Sequence, residues 1–447
     1  MTAQLDLSDL LTRAARLVEA ARRAGADAAD AVSVRGVSLG VDVRLGKIEE
    51  TSRAEGDDFT LRVFVGRRSA AVSANVVTDP LALAERAVAM AKVAPQDPFA
   101  GLADADRLAH QFPELDLLDD TIPTPAELTE AAQAAEDAMR AVPGVTNSGG
   151  ASAGWSLGGM VLATSTGFRG SHIGSRFAIS ASAIAGSGTS MERDSEGYSR
   201  THRTDLPDPA AIGRTAGERA VRRLNPRKPP TGHSTIVYDR RVASGLLGHL
   251  AGATNGAAIA RKTSFLKDAL ETQIMPSAIT IVDDPTRRRG LGSSPFDGEG
   301  IASEPLNLVA GGMLRTWFLD SATARELGMT TNGRAGRGGG ATSPRATNLT
   351  LLPGSVSRDS LLRDVGTGIY VTEFIGMGVN GVTGDYSRGA AGFLIEKGEL
   401  TTPVSEITIA GNLRDMYRRM SVADDLEYRF AVNSPTVAIE GLTVAGR

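Results

Sequence analysis

The sequence predicts an α+β protein of two domains: N-terminal helices packed on antiparallel strands over residues 1–225, then a glycine-rich, β-dominated domain over 226–447. Three observations predict it. Helix-period and strand-period segments follow one another up to about residue 225. Many of the 51 glycines fall in the C-terminal half, favouring short strands and tight turns over a helical bundle. Between the two lies Asn225-Pro226-Arg227-Lys228-Pro229-Pro230-Thr231-Gly232, whose prolines continue neither a helix nor a central strand.

Leu10, Ala14, Leu17, Val18 and Ala21 recur at helical spacing, with Ser8 placed to cap the helix and Gly25 to stop it. Val37, Leu39, Val41, Val43 and Leu45 then alternate with smaller or polar residues, as in a half-buried strand. Phe59, Leu61, Val63 and Val65 repeat the pattern, and Gly66-Arg67-Arg68 reads as the turn into a further strand. Asp79-Pro80 opens a second helix with Leu81, Ala84, Ala87, Val88 and Ala91 as its buried face. Thr124-Pro125-Ala126-Glu127 is a capping box for a third, ended by Pro143-Gly144. Strand signals return at Val161–Ala163 and Ile173–Ala181, and a fourth helix follows Asp208-Pro209. Beyond the proline-rich break the chain is strand-like, apart from a helix near Val242–Ala258.

Composition narrows the chemistry. A net charge of −4 and 22% charged residues point away from a nucleic-acid surface or a polybasic anchor. The N-terminus has no signal-peptide core, and no stretch reaches the ~20 apolar residues that cross a bilayer, so the expectation is a cytoplasmic protein. With no cysteine, disulfides, thiol nucleophiles and thiolate metal ligands are excluded.

The five histidines, His110, His172, His202, His233 and His249, include no two within one helical turn, so the zinc-hydrolase pairing of imidazoles is missing. His249 alone sits in a helical apolar segment, where a packed core histidine is the commoner outcome. Asp297, Glu299 and Asp385 stand among glycines as candidate acid–base groups, or as turn carboxylates holding backbone N–H groups. Ser293, Ser294, Ser303 and Ser387 occupy glycine-rich loops without a nucleophile elbow. Gly376-Met377-Gly378-Val379-Asn380-Gly381 has the spacing of a dinucleotide loop. The glycines after it forbid the helix that such a loop must open. The tract Gly333–Gly340 offers amides and two arginines to an anion, or is a mobile loop, or is a loop ordered only by a partner or peptide.

Several collinear segments carry a resemblance: ARKTSFL (260–266), DDP (283–285), LGSSPFDGEG (291–300), LDSATARELGM (319–329), VNGVTGDYSRGAAGFLIEKGEL (379–400), PVSEITIAGNLRDM (403–416) and IEGLTVAG (439–446). KIEE (47–50) and RAVAMAKVAPQD (86–97) add to it. On these the chain resembles the TldD/PmbA metallopeptidase family, in its PmbA or TldE-type branch. The resemblance implies a two-domain α+β protomer that pairs with a TldD-like, zinc-bearing subunit into a heterodimer. The enclosed chamber takes unfolded or extended peptides, including peptide precursors. In the catalytic branch the helix after the domain boundary resembles LLHEAVGH, with two zinc histidines and a general-base glutamate, and a C-terminal cysteine completes the site. Here Gly248, His249 and Ala253 occupy those three positions and no cysteine exists. The resemblance therefore implies a subunit with no metal or cofactor of its own, inactive alone, with the zinc in its partner.

His249, Asp297, Glu299, Asp385, Tyr386, Ser387 and Arg388 are the candidate cleft or peptide-binding residues, and a strand edge near Gly376–Gly392 is where an extended peptide is expected to add. Homodimerisation of the isolated chain is expected too. Two alternatives stand beside this reading: a non-proteolytic regulatory protein, in line with an older family label as a modulator of DNA gyrase, and a self-sufficient hydrolase using the carboxylates.

Overall fold

Alternating strands and four amphipathic helices build the N-terminal half. The computed structural model describes residues 6–75, 79–338, 340–376 and 378–446. Its first six strands are β1 (Ala28–Arg44), β2 (Lys47–Val65), β3 (Arg68–Ala74), β4 (Val145–Thr164), β5 (Arg169–Ala185) and β6 (Glu192–Arg200). They form one sheet in the order β3-β2-β1-β4-β5-β6 with every neighbouring pair antiparallel. The β1–β2 hairpin turns at Leu45 and Gly46, both at positive φ (52° and 75°), the backbone that a tight hairpin turn needs. Glu136, fully buried on helix α3 (Pro125–Arg140), accepts the amides of those two residues at 2.6 and 2.7 Å.

Period-two alternation sends odd-numbered residues of these strands to one face. Helices α1 (Ser8–Arg23) and α2 (Pro80–Val93) cover Phe59, Leu61, Val63 and Val161 there. Helix α3 covers Val37, Leu39, Trp155 and Phe177, and α4 (Pro209–Arg222) covers Ile179 and Ala183. The capping box of Thr124 and Glu127 is formed as expected, and the Asp208 carboxylate accepts the Ala211 amide to open α4. Two local expectations are corrected. Ser8 lies inside α1, because the Asp6 carboxylate already accepts the Ser8 N–H at 2.8 Å and moves the N-cap to Leu7. Leu81 is exposed, while Ala84, Ala87, Val88 and Ala91 are buried, since only the alanine stripe of α2 faces the sheet. Helices α3 and α4 approach so closely that a Cβ on Gly213 would lie 1.8 Å from the Ala135 carbonyl oxygen.

The C-terminal half opens with β7 (Gly232–Tyr238), α5 (Arg240–Ala253) and α6 (Gly256–Ala260). The helix expected near Val242–Ala258 is thus two. The Thr254 hydroxyl bonds back to Leu250 O, and the Asn255 side chain accepts the Ala257 N–H, which ends one helix and caps the next. The remaining strands are β8 (Ile281–Asp283), β9 (Leu306–Ala310), β10 (Met313–Leu314), β11 (Ala335–Gly338), β12 (Ala341–Pro344), β13 (Leu349–Leu351), β14 (Thr367–Ile375), β15 (Asp385–Glu396), β16 (Glu399–Asn412), β17 (Met420–Val422), β18 (Val432–Asn433) and β19 (Val437–Ala445). The order β16-β15-β14-β7-β19-β17 closes on itself through pairing of Thr408–Ala410 with Thr443–Ala445, giving a barrel-like sheet. A smaller sheet runs β10-β9-β8-β13-β18. One core of Ile236, Tyr238, Leu246, Leu250, Phe318 and Ile409 joins barrel, small sheet and α5.

The halves meet on the even-numbered face of the first sheet. Val32, Leu162 and Phe168 pack on Phe296 and Ile301, with the Phe168 and Phe296 rings 5.1 Å apart in a T-shaped arrangement. Beside them Asp30, 1% exposed, is held by Arg62 at 3.0 Å (Nε to Oδ2) and by Arg337 from β11 at 3.2 Å (Nη1 to Oδ2). Burial alone would raise the Asp30 pKa; the two guanidiniums more than reverse that, so its folded value is depressed.

Two predictions follow from this packing. Gly213→Ala should cost about 1–3 kcal/mol by overpacking α3 on α4, whereas Gly245→Ala, whose Cβ meets nothing within 4 Å, should be neutral or stabilising. Equal denaturation midpoints for the two variants would remove the close-approach argument. Asp30→Asn strands two buried guanidiniums and should cost about 3–5 kcal/mol. Because the folded pKa is depressed, the wild-type stabilisation is present above the usual carboxylate range and lost as pH falls through the folded value. Denaturant melts of wild type and variant should therefore differ at pH 7 and converge at acid pH, and a gap independent of pH would contradict this.

Candidate functional site

Helix α5 presents Leu246, Leu247, Leu250 and Ala253 to the core, because these recur at three- and four-residue spacing. The neighbouring positions Gly248, His249 and Gly252 line a cavity of about 370 Å³. Across it stand Arg388 from β15, Val379, Phe265 and Leu413. Alternation on β15 sorts four of the candidate residues by face. Tyr386, buried, and Arg388, half-buried, share one side; Asp385 and Ser387 are exposed on the other.

The His249 ring meets the Tyr386 ring edge-on at 6.1 Å, and the Arg388 guanidinium lies 4.7 Å over the Phe374 ring. Burial and the Arg388 charge both lower the His249 pKa, so the imidazole is neutral at pH 7. Burial also raises the Tyr386 pKa, keeping the phenol protonated. The Asp385 carboxylate is engaged elsewhere, by the Thr383 hydroxyl at 2.6 Å and the Asn412 amide at 3.1 Å, which lower its pKa.

Asp297 and Glu299 are not in this cavity. Asp297 lines a second one of about 270 Å³ with His172, Ser294, Arg337 and Arg345. Both its oxygens are taken by backbone amides, Oδ1 by Glu299 and Ile301 and Oδ2 by Ala335, at 2.9–3.0 Å. Burial and the Glu299 charge nevertheless push it up to about 7. Glu299 accepts the Ser321 amide at 2.9 Å and the Thr342 hydroxyl at 3.3 Å, and its charge helps to hold Arg62 protonated. Asp297 thus binds turn amides, as the simpler of the two expectations had it, while Glu299 takes the first amide of the helix Ser321–Glu326 and a hydroxyl. The loop serines do likewise: Ser293, Ser294 and Ser303 donate to the carbonyls of Arg287, Phe296 and Gly333.

Two expectations are corrected here. Among the described residues β15 offers no free edge over residues 389–392, which lie between β14 and β16, whereas β14 pairs with β7 only at residues 369–371. The Gly333–Gly340 tract is not an anion loop. Arg334 is fully buried on Asp283 at 2.5 Å, Arg337 is spent on Asp30, and residues 335–338 pair with 341–344. Gly339 and Met377 lie outside the described residues. The described part of the 376–381 glycine run opens no helix.

His249 is the one imidazole in the α5 cavity; His202 lies beside Asp116, His172 in the second cavity, and His110 and His233 are exposed. Among the described residues no three His, Cys, Asp or Glu side chains group so as to hold an ion, so the donor set does not fit a catalytic zinc. Sequence reasoning missed Phe265, Val379 and Leu413 as walls, and the His172–Arg345 cavity. Each joins segments far apart in the chain, with no local pattern to mark it.

Comparison with known proteins agrees with this architecture. The family described as PmbA/TldA metallopeptidase matches in three parts: domain 1 at residues 29–91, the central domain at 119–224 and the C-terminal domain at 231–446. The metalloprotease PmbA of Escherichia coli O157:H7 is 35% identical over 94% of this chain and 93% of its own length. The PmbA homologue of Haemophilus influenzae is 37% identical over 96% and 94%. Among solved structures, a putative modulator of DNA gyrase from Bacteroides thetaiotaomicron superposes with TM-score 0.91 at 27% identity, covering 99% of this chain and all of that one. TldE from Thermococcus kodakarensis gives 0.86 at 19% identity over 96% of this chain and 99% of its own, a likeness of fold alone. On the identity and coverage of these matches, the chain belongs to the PmbA/TldD family of metallopeptidases.

Proposed function

We propose that this chain is the non-catalytic subunit of a TldD–TldE-type heteromeric zinc metallopeptidase, acting with a zinc-bearing partner on unfolded or extended peptides, including peptide precursors. The observation that carries the reading is the composition of the α5 cavity. Gly248, His249 and Ala253 stand where the family resemblance puts two ligands and a general base, and the chain has no cysteine. A catalytic zinc requires three protein ligands and an open position for water. A lone, largely buried imidazole beside an arginine supplies neither the ligand set nor a favourable field for a cation. On this reading the chain walls the peptide chamber, and its partner performs the hydrolysis.

Purified alone, the chain should carry no stoichiometric zinc and cleave no unfolded peptide. Mixed with a family member bearing the two-histidine helix, it should co-elute with that chain and form an active peptidase. Zinc-dependent cleavage by the single chain, abolished by His249→Ala, would sink the proposal.

A second reading is favoured by one observation, the likeness to the protein described as a modulator of DNA gyrase. It makes this chain a regulatory protein acting through protein contacts, since a net charge of −4 argues against binding DNA directly. Affinity purification separates the two: recovery of a topoisomerase with no zinc-bearing relative supports the regulatory reading, and the converse supports the peptidase subunit.

No helix among the described residues is long and apolar enough to cross a membrane. We place the protein in the cytoplasm, where fractionation of cells should find it together with its partner. Recovery outside the cytoplasm would reject that placement.

A further inference from the structure

Helix α5 and strand β15 turn His249 and Arg388 into one cavity, where neither side chain makes a hydrogen bond to any described residue. The Arg388 Nε is buried with no acceptor, and its guanidinium lies over the face of Phe374. A buried N–H donor that lacks an acceptor costs free energy until a ligand supplies one. No acidic side chain lines the cavity among the described residues; apart from Thr263, its other walls are glycine or the apolar Ala253, Phe265, Val379 and Leu413. At about 370 Å³ it lies within the range of small-ligand sites.

The charge available sets the ligand. One guanidinium beside a neutral imidazole balances a single negative charge. A phosphate dianion would leave half its charge uncompensated against apolar walls. A planar carboxylate matches the guanidinium fork, and the imidazole supplies one further N–H. The apolar walls call for a hydrocarbon group next to that carboxylate.

We propose that this cavity binds the C-terminal carboxylate of a short peptide, with Arg388 and His249 on the carboxylate and Phe265, Val379 and Leu413 around the terminal side chain. The choice of a peptide rests on the function proposed above, but the pocket needs neither zinc nor a partner. It gives the isolated chain a way to hold a peptide end or a cleavage product.

Calorimetric titration of the full chain with N-acetyl-Ala-Leu and with its C-terminal amide tests this. The acid should bind about ten-fold or more tightly than the amide, the ratio expected for exchanging a charge-assisted pair for a neutral one. Arg388→Gln should remove the preference. Gly248→Leu, whose added Cβ meets nothing within 4 Å, should fill the cavity and abolish binding with the arginine intact. Carbon-13 NMR of the histidines should show the His249 pKa rising on addition of the acid, because a carboxylate favours the imidazolium. Equal binding of acid and amide, undiminished binding by either variant, or inorganic phosphate competing as tightly as the peptide overturns the assignment. If the chain recruits a zinc-bearing partner yet fails this titration, the pocket is rejected and the subunit reading stands. If it passes without any such partner, the subunit reading falls and the pocket stands.

Discussion

A buried carboxylate between two arginines ties the molecule together. Asp30 leaves the first sheet on the face opposite its four helices, where Arg62 of the same sheet and Arg337 of the C-terminal half converge on it. Glu299 adds a second negative charge within reach of Arg62, and Thr342 bridges the two through its hydroxyl. Buried ions in such an arrangement tolerate little displacement, because a shift that separates them leaves charge without a counter-ion in a poorly solvating interior. The orientation of the halves is therefore specified by charge as well as by the packing of Phe168 on Phe296. Glu299 of the FDGEG segment is accounted for by this junction, while Asp297 is held by backbone amides of its own half.

With the halves fixed, the closed sheet decides what remains accessible. Residues 389–392 of β15 have strand partners on both sides, so a ligand approaching them meets side chains and glycine backbone instead of a free ladder. Helix α5 packs its leucines inward on Tyr417, whose hydroxyl donates to the Leu246 carbonyl at 2.9 Å, which sets the rotation of the helix and aims Gly248, His249 and Gly252 at the cavity. The same element that would carry metal ligands in a catalytic relative here carries glycine, a single imidazole and alanine. Its neighbour Arg388 makes the pocket suited to anions instead of cations.

A second ionic seam reinforces the junction. Arg241 of α5 reaches Asp194 of β6 at 3.0 Å, Arg223 pairs with Glu373 of β14 at 2.5 Å, and Arg429 meets Glu196. Because Asp239 and Asp194 share Arg241, the start of α5 is anchored to the N-terminal sheet. Movement between the halves would strain the helix that carries His249.

How much of this was legible in the sequence depended on range. Helices α1 to α4, the hairpin strands and the proline-rich connection were readable because their determinants are local: residue spacing, caps at Thr124 and Asp208, and prolines at helix starts. Family membership was legible in collinear motifs, and so was the loss of zinc donors, since residue identity alone decides whether an imidazole or thiol exists. The fate of charged and glycine-rich segments was not legible. Asp297, Glu299, Arg334 and Arg337 look alike in sequence whether they face a ligand or one another, and only the folding together of distant segments paired them internally. Strand closure likewise depends on pairing between residues 408–410 and 443–445, which no single strand encodes. The sequence by itself determined the local elements and that the chain has no cysteine and no histidine pair within a helical turn, whereas the tertiary structure alone decided which polar groups are satisfied and placed Arg388 and His249 on one cavity.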